Sequence, residues 1–556
     1  MITDGVPGSV SHLPAAASRP GSGPRPTPPR RLATPGGPRR RTGLALAAAL
    51  IVGLGIGRAA SAAQLPYGAA LGRAYDAVLD ARFDELEGEL HAACGPAPVE
   101  TCDLVRATAV WWRIQLDPFN RSLDGRFQVD INRVIEGMAR WTEREPRRAD
   151  AWFFLGAAYG VRVQYRVLRG ERLSAARDGK RIKDALEKAL SLDGKVQDAY
   201  FGIGLYHYYA DLAPSVLKFL RWMLFLPGGN RAEGLREMQQ ARERGELLRG
   251  ETNYQLHLIY LWYEQKPEDA LKLLDELRAR YPRNPLFVQA VAEVQDVYLH
   301  DHPASLDTWR TLFNLARQKR VSLPEMAEAR ARLGIAEELD VLHETDYALE
   351  QLRVLLEAQP RAPYGVLAKA ALRLGVYEDR MGRRAEAVAA YRAALGAAPP
   401  DDPDGVRAAA RAGERRGPDP RAAEAYRLSL EGGRALQRGE LAGAQDAIGQ
   451  SLALAPGDSV TRYRHARLLA AQRHTADALA AFEQLLAARP VPPAHVLASA
   501  CVEAARLREQ AGDRARAVEL YLRATRVRGA EAQTLRAASQ SLARLRNGRH
   551  PAGRTR

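Results

Sequence analysis

Apolar side chains recur at helical spacing along most of the chain, with polar side chains between them. From Trp152 the sequence reads "WFFLGAAY", in which Trp152, Leu155 and Tyr159 fall on one face of a helix. Gly156 stands where we expect a partner helix to approach closely, because a larger side chain would push the pair apart. Sustained alternation of apolar and polar residues, the pattern of a half-buried strand, does not stand out. The pattern therefore predicts an all-α protein.

A second pattern combines an alanine, a bulky residue four positions later and a proline twelve positions after the alanine. Ala444, Ile448 and Pro456 precede an equivalent set by 34 residues. The other sets are Ala478, Phe482 and Pro490; Ala270, Leu274 and Pro282; Ala348, Leu352 and Pro360; Ala387, Tyr391 and Pro399; and Ala517 and Tyr521 with Gly529. Both patterns resemble the tetratricopeptide repeat over roughly residues 146–530. The resemblance implies a right-handed superhelical solenoid of helix hairpins that serves as a scaffold.

Departures from a regular repeat set the expected domain boundaries. Gly204 follows Gly156 by 48 residues, so about 14 residues are inserted. Residues 398–420 collect Pro, Asp and Gly without apolar periodicity, which favours a linker. The expected division is a disordered leader with a signal peptide (1–63), an N-terminal helical cap (64–145), a repeat block with insertions (146–400), a linker (401–420), a C-terminal repeat block (421–545) and a basic tail (546–556).

The N-terminal segment has the pattern of a secretory signal. Three arginines at 39–41 precede an uncharged apolar run at 43–57, and Ala60-Ser61-Ala62-Ala63 follow. The run is shorter than the roughly 20 residues of a spanning helix. We therefore expect cleavage near Ala62 or Ala63 and export to the periplasm or cell envelope, with a retained N-terminal membrane anchor as the alternative.

Charge and cysteine content refine this picture. The formal net charge is +15, and the segment before the cleavage site holds eight Arg and one Asp, so its removal leaves about +8. This balance is mild for a nucleic-acid binder, and we expect no nucleic-acid partner. Cys94 and Cys102 flank a Gly-Pro-x-Pro turn, which favours a disulfide in an exported protein, against two unpaired thiols. Cys501 lies on an apolar helical face and is expected in the core.

Residues 214–226 form the most apolar stretch of the body, yet thirteen residues with Lys218 and Arg221 cannot span a bilayer. We expect an inserted apolar helix that is buried, bound to a membrane surface or exposed to a partner. Its candidate membrane contacts are Phe219, Trp222 and Phe225. The surrounding stretch, about 200–245, has a weaker resemblance to the tetratricopeptide family of the mitochondrial inclusion-body clearance proteins, which again implies a scaffold.

Residues on the helix face next to the one that carries the repeat signature are candidates for a concave partner-binding surface. They are Phe153, Phe201, Tyr208 and Trp262 in the first block, and Lys369, Tyr463, Arg467 and Arg506 towards the C-terminus. The cationic set suits an acidic or carboxylate-bearing segment of a protein or peptide. The alternative is that the aromatic residues are ordinary core between repeats.

Catalytic chemistry has few candidates. His300-Asp301-His302 could offer metal ligands, but no further ligand motif accompanies it, and a turn at a helix end explains it better. The sequence has no P-loop, nucleophile elbow or H-E-x-x-H motif. We therefore expect no metal, cofactor, small-molecule substrate or enzymatic activity. The sequence favours an exported, non-catalytic scaffold, with a peripheral membrane factor that docks through helix 214–226 as the alternative.

Overall fold

The computed structural model describes residues 67–212, 228–527 and 530–546, and every regular element in these ranges is helical. The leader, the signal segment, the end of the basic tail and helix 214–226 lie outside the described residues. Among the described helices, none combines the length and apolar character that crossing a bilayer requires.

The first half contains α1 (Gly68–Leu79), α2 (Leu86–Cys94), α3 (Val99–Leu116), α4 (Asp124–Arg144), α5 (Ala149–Leu168), α6 (Arg172–Leu192), α7 (Ala199–Leu212), α8 (Arg231–Arg244), α9 (Arg249–Trp262), α10 (Pro267–Arg280) and α11 (Pro285–Glu293). A π-helical segment, Val294–Tyr298, continues α11.

The second half contains α12 (His302–Arg317), α13 (Pro324–Val341), α14 (Thr345–Ala358), α15 (Val366–Arg380), α16 (Arg384–Ala397), α17 (Val406–Arg415), α18 (Pro420–Arg438), α19 (Leu441–Leu454), α20 (Ser459–Ala471), α21 (Thr475–Ala487), α22 (Ala494–Gln510), α23 (Arg514–Ala524) and α24 (Ala532–Arg546). Consecutive helices pack against each other as hairpins, most closely in pairs such as α5 with α6 and α15 with α16.

The repeat signature works through contact between a glycine and a bulky residue. A Cβ atom on Gly375 would lie 2.6 Å from the ring of Tyr391, and one on Gly432 would lie 2.5 Å from the side chain of Ile448. Tyr391 and Ile448 are the bulky residues four positions after the pattern alanines. The close approach expected at Gly156 is also present, with the Leu186 side chain 2.6 Å from the Cβ position. Glycine on the first helix therefore makes room for the second helix in these three hairpins.

The N-terminal helices do more than cap one end of the solenoid. Trp112 of α3 packs against Tyr254 of α9, with ring centroids 5.1 Å apart. The Tyr281 hydroxyl donates to Asp76 at 2.7 Å, and the Asn284 amide donates to the Leu79 carbonyl at 2.7 Å. The cap expected for residues 64–145 therefore needs correction, because the apolar faces of α1 and α3 are buried in one core with α9, α10 and α11.

A buried polar network lies inside this core. Glu251 of α9 is 3% exposed and accepts hydrogen bonds from the Tyr75 hydroxyl at 2.9 Å and the Gln164 amide at 3.0 Å. The Gln164 oxygen in turn accepts from the Trp111 indole at 3.2 Å and from the Gln255 amide at 3.0 Å. Burial raises the pKa of Glu251. The network joins α1, α3, α5 and α9.

The expected linker at 401–420 is largely a packed helix. Helix α17 buries Val406, Ala410 and Gly413, and a Cβ atom on Gly413 would lie 2.5 Å from the Tyr391 ring. These buried residues are small, so the apolar periodicity of a helix was hard to recognise in the sequence. Their small size allows α17 to approach Tyr391 closely. Helix α18 then packs on the first block, where the hydroxyls of Tyr426 and Thr345 are 2.7 Å apart. The two repeat blocks are thus joined by direct contacts.

The three cysteines form one disulfide and leave one buried thiol. Cys94 at the end of α2 and Cys102 in α3 are joined by a disulfide, with their Cα atoms 6.1 Å apart. Cys501 in α22 is unpaired and fully buried. The disulfide holds the α2–α3 corner against the N-terminal core.

Substituting Gly375 by Ala tests the contact that defines the hairpin. The added methyl group meets the Tyr391 ring, and overpacking of this kind costs about 1–3 kcal/mol of unfolding free energy. The control is Gly396→Ala in α16, where no atom lies within 4 Å of the Cβ position, and it should be neutral or stabilising. Urea unfolding monitored by circular dichroism measures both. Equal effects of the two substitutions would contradict the glycine assignment.

Substituting His257 by Leu tests whether the buried imidazole of this α9 residue makes the stability of the protein depend on pH. Burial lowers the pKa of His257 from 6.5 to about 3. In the unfolded chain the His257 imidazole binds a proton below pH 6.5, whereas in the folded protein it stays neutral until the pH approaches 3. The contribution of this side chain to the unfolding free energy is therefore fully present above pH 6.5 and is lost as the pH falls towards 3. Between pH 7 and 5, wild type should lose ~2 kcal/mol more than His257→Leu. The same change at exposed His91 controls for loss of a histidine.

Candidate binding groove

Three of the four aromatic residues predicted for the concave surface lie in the core. Phe153, Phe201 and Tyr208 are buried, and Trp262 is half-buried. Phe153 belongs to the core shared with α1 and α3, while Phe201 and Tyr208 pack with residues of α8 and α9. These positions favour the alternative that the aromatic residues are ordinary core between repeats, because neighbouring helices cover these side chains. Phe219, Trp222 and Phe225 lie outside the described residues, and their membrane contact stays a prediction.

The cationic candidates separate into two places. The Arg467 guanidinium lies over the Tyr463 ring, 5.8 Å from its centroid, and both residues belong to α20. Arg506 on α22 is exposed and pairs with Glu503 at 3.0 Å. Lys369 on α15 instead pairs with Asp404 at 2.8 Å, in the segment that leads into α17. Tyr463 and Arg467 thus lie together, whereas Lys369 pairs with an acid in the segment after its own hairpin.

Sequence reasoning missed a basic groove at the rim of the helical hairpins. Its volume is about 440 Å³, and it lies between the α10–α11 corner and the end of α12. The cations along it are Arg278, Arg283, Lys319 and Arg320. The remaining wall and floor are formed by Pro282, Val288, Thr311 and Leu315. We call this set the basic groove.

Local structure positions each part of the basic groove. Helix α10 ends at Arg280, and the chain turns through Pro282 into α11, which begins at Pro285. Helix α12 ends at Arg317, and Lys319 follows with a φ of +55°, which turns the chain away from the helix axis. The two helix ends therefore place their cations on the same rim.

Half of the groove's positive charge is already paired. Arg278 lies 2.9 Å from Asp275 on the same helix, and Arg283 lies 2.5 Å from Glu85 in the turn before α2. Lys319 and Arg320 are exposed, and their side chains have no ion pair or hydrogen bond within the described residues. Two free cations beside Val288 and Leu315 provide both charge and apolar contact for an extended anionic chain.

The basic groove could not be identified from a linear pattern. Its residues come from positions separated by more than 40 residues, 278 to 320, and each cation alone resembles an ordinary helix-ending charge. The available signal was the density of Arg and Lys in "RARYPR" and "RQKR", at two helix ends. Only the packing of α12 beside the α10–α11 corner joins the two runs.

The His300-Asp301-His302 stretch joins the π-helical segment to α12. His300 has a φ of +51°, and the Asp301 carboxylate caps α12 by accepting from the Ala304 backbone amide at 3.4 Å. Asp301 therefore has a structural role at a helix end, as the sequence analysis favoured.

One family model matches the chain: the tetratricopeptide repeat, over residues 368–401. This range covers most of α15 and all of α16, including Gly375 and Tyr391 in contact. No curated protein matches the chain.

Solved structures with similar helical arrangements have low sequence identity to this chain and low TM-scores. A Rap protein in complex with Competence and Sporulation Factor is 14% identical, covers 86% of this chain and 99% of its own, and has a TM-score of 0.30. The TPR2AB domain of yeast Sti1 with pHSP90 is 15% identical, covers 53% and 98%, and scores 0.21. Human IFIT1 with m7Gppp-AAAA is 14% identical, covers 71% and 82%, and scores 0.26.

These three proteins are bound to different kinds of partner, so overall similarity does not indicate what this chain binds. The fold assignment depends on the chain's own hairpins, with their glycine contacts, and on the matched repeat. On that evidence the chain contains a tetratricopeptide repeat at residues 368–401, within an array of helical hairpins.

Proposed function

We propose that this protein is a non-catalytic scaffold that binds an acidic linear segment of a protein partner in the basic groove, after export to the cell envelope. The observation that carries the proposal is the pair of free cations, Lys319 and Arg320, beside the apolar residues Val288 and Leu315. A carboxylate-bearing segment with interspersed apolar residues satisfies both features.

The shape of the basic groove supports binding of an extended chain. It is lined by residues from α10, the α10–α11 turn, α11, α12 and the turn after α12. Its cations come from two corners of the fold, with Arg278 and Arg283 contributed from the α10–α11 corner and Lys319 and Arg320 from the end of α12. An extended segment lying along the floor could place acidic side chains on either side. The lining residues offer binding contacts and no pair of acid–base groups.

The N-terminal core supports export as part of the proposal. Disulfides persist in oxidising compartments such as the periplasm and are rare in the cytosol. The Cys94–Cys102 disulfide joins α2 to α3, and α3 lies in the core that it shares with α1, α9, α10 and α11. Together with the signal-like segment before Ala63, this bond favours function outside the cytoplasm.

Reversing the two free charges tests the groove. The probe is a fluorescein-labelled peptide of alternating Glu and Leu residues, titrated against the protein by fluorescence anisotropy. Lys319→Glu with Arg320→Glu should weaken binding at least ~10-fold, which corresponds to about 1.4 kcal/mol. Raising the salt concentration should weaken wild-type binding, because the contacts are exposed ion pairs.

Two further variants make this test specific. Arg310→Glu changes an exposed arginine on α12 whose ion partner is Asp307, and it should leave affinity within about twofold. Arg467→Glu with Arg506→Glu changes the site predicted from sequence. Loss of binding only in the Arg467→Glu, Arg506→Glu variant would indicate that the peptide binds at α20 and α22 instead of the basic groove. Equal binding by all variants, or displacement of the peptide by single-stranded oligoadenylate at lower concentration, would contradict the proposal.

Thiol counting tests export. The chain has three cysteines, so exported protein should have one reactive thiol after denaturation without reductant and three after reduction. The envelope fraction should contain a chain that begins near Ala63, as determined by N-terminal sequencing. Full-length cytoplasmic protein with three free thiols would contradict this part of the proposal and leave the groove test unaffected.

A further inference from the structure

Three side chains of metal-binding type meet where the π-helical segment is followed by α12 and α13. Asp296 comes from the π-helical segment, His302 is the first residue of α12, and Glu338 lies on α13. His302 Nδ1 lies 3.0 Å from Glu338 Oε2 and 3.3 Å from Asp296 Oδ1. The structure thus brings together one nitrogen ligand and two carboxylates that are separated in sequence by up to 42 residues.

The separations match those of a coordination sphere. In a tetrahedral site with metal–ligand bonds of about 2.0 Å, neighbouring ligand atoms stand about 3.3 Å apart. The two measured separations, 3.0 and 3.3 Å, are already close to this value. A metal ion would need only small side-chain movements, in which the three atoms spread around it.

Surrounding contacts orient two of the ligands. The Glu338 side chain is 3% exposed, and its second oxygen accepts a hydrogen bond from the Ser305 hydroxyl at 2.6 Å. This bond leaves Oε2 directed at His302, and hydrogen bonds of this kind commonly orient the carboxylates that bind metal ions. Asp296 owes its position to the π-turn, in which the Leu299 amide bonds the Val294 carbonyl at 3.0 Å. Turns of this type occur frequently at functional sites.

A second group within the described residues provides a comparison. His207 Nδ1 lies 2.8 Å from Glu237 Oε2, with Glu233 nearby, but Glu233 is exposed and both acids lie on the single helix α8. The group around His302 takes its ligands from three consecutive elements and has a buried carboxylate fixed by Ser305. The His302 group is therefore the stronger candidate for a metal site.

We propose that Asp296, His302 and Glu338 bind a divalent first-row transition ion such as Zn²⁺, with a remaining position open to water. The imidazole nitrogen favours such ions over Mg²⁺ and Ca²⁺, which prefer oxygen ligands alone. Once His302 has lost its proton to the ion, two carboxylates and a neutral imidazole balance the ion's two positive charges. Bound metal links the π-helical segment, α12 and α13, so metal binding stabilises the folded state.

Zinc titration of the chelator-treated full chain tests the proposal. Isothermal titration calorimetry, with equilibrium dialysis and elemental analysis, should show one equivalent bound in wild type. Asp296→Asn should weaken that binding roughly tenfold or more. Asp296 is 34% exposed, so this variant should fold, and circular dichroism checks that it does. Zinc should also raise the melting temperature of wild type and fail to raise that of the variant.

Two controls separate this site from other zinc ligands. Asp307→Asn removes an exposed carboxylate on α12 and should leave binding unchanged. His207→Gln removes the histidine of the comparison group and should do the same. Absence of an equivalent of bound zinc in wild type would overturn the proposal and assign the cluster to a plain ion pair. Equal zinc affinity in Asp296→Asn, or loss of binding in His207→Gln alone, would overturn it as well.

Discussion

Burial of the N-terminal helices against the middle of the chain is the interaction on which the rest of the structure depends. Glu251 stands at its centre as a carboxylate that is almost fully removed from water. A buried charge is costly unless hydrogen bonds surround it, and here donors from α1, α5 and α9 provide them. The aromatic rings of Trp112 and Tyr254 pack against each other beside this network. Residues distant in sequence are thereby fixed in one core.

The basic groove depends on the same contact. The turn between α1 and α2 supplies Asp80 and Glu85, which hold Arg283 through its backbone amide and its guanidinium. The Ser322 hydroxyl, just past Arg320, donates to the Ala81 carbonyl at 2.8 Å. Both walls of the groove are therefore attached to the N-terminal region. A change that loosened α1 would be expected to alter the groove although α1 does not line it.

A solenoid built from hairpins normally stacks each unit only on its neighbours. In this chain, contacts between distant units modify that rule. Asp117 accepts from the Tyr364 backbone amide at 3.1 Å, and Tyr426 contacts Thr345 across the segment that contains α17. The proposed metal ligands also lie at a junction, where a π-turn interrupts the regular hairpin. The irregular positions of the repeat, rather than its consensus positions, provide the features that distinguish this protein from a generic scaffold.

The sequence by itself determined the helices and the pairing of each hairpin, because spacing of three and four residues and the glycine opposite a bulky side chain are local requirements. The close approach at Gly156 was anticipated in this way, and the contacts of Gly375 with Tyr391 and of Gly432 with Ile448 follow the same rule. Tertiary structure alone decided that Phe153 and Tyr208 are core, that α17 is packed, and that Lys319 lies near Arg278. These outcomes depend on which distant helix covers a given face. A repeat presents many similar faces, and their partners are selected by burial of the whole chain.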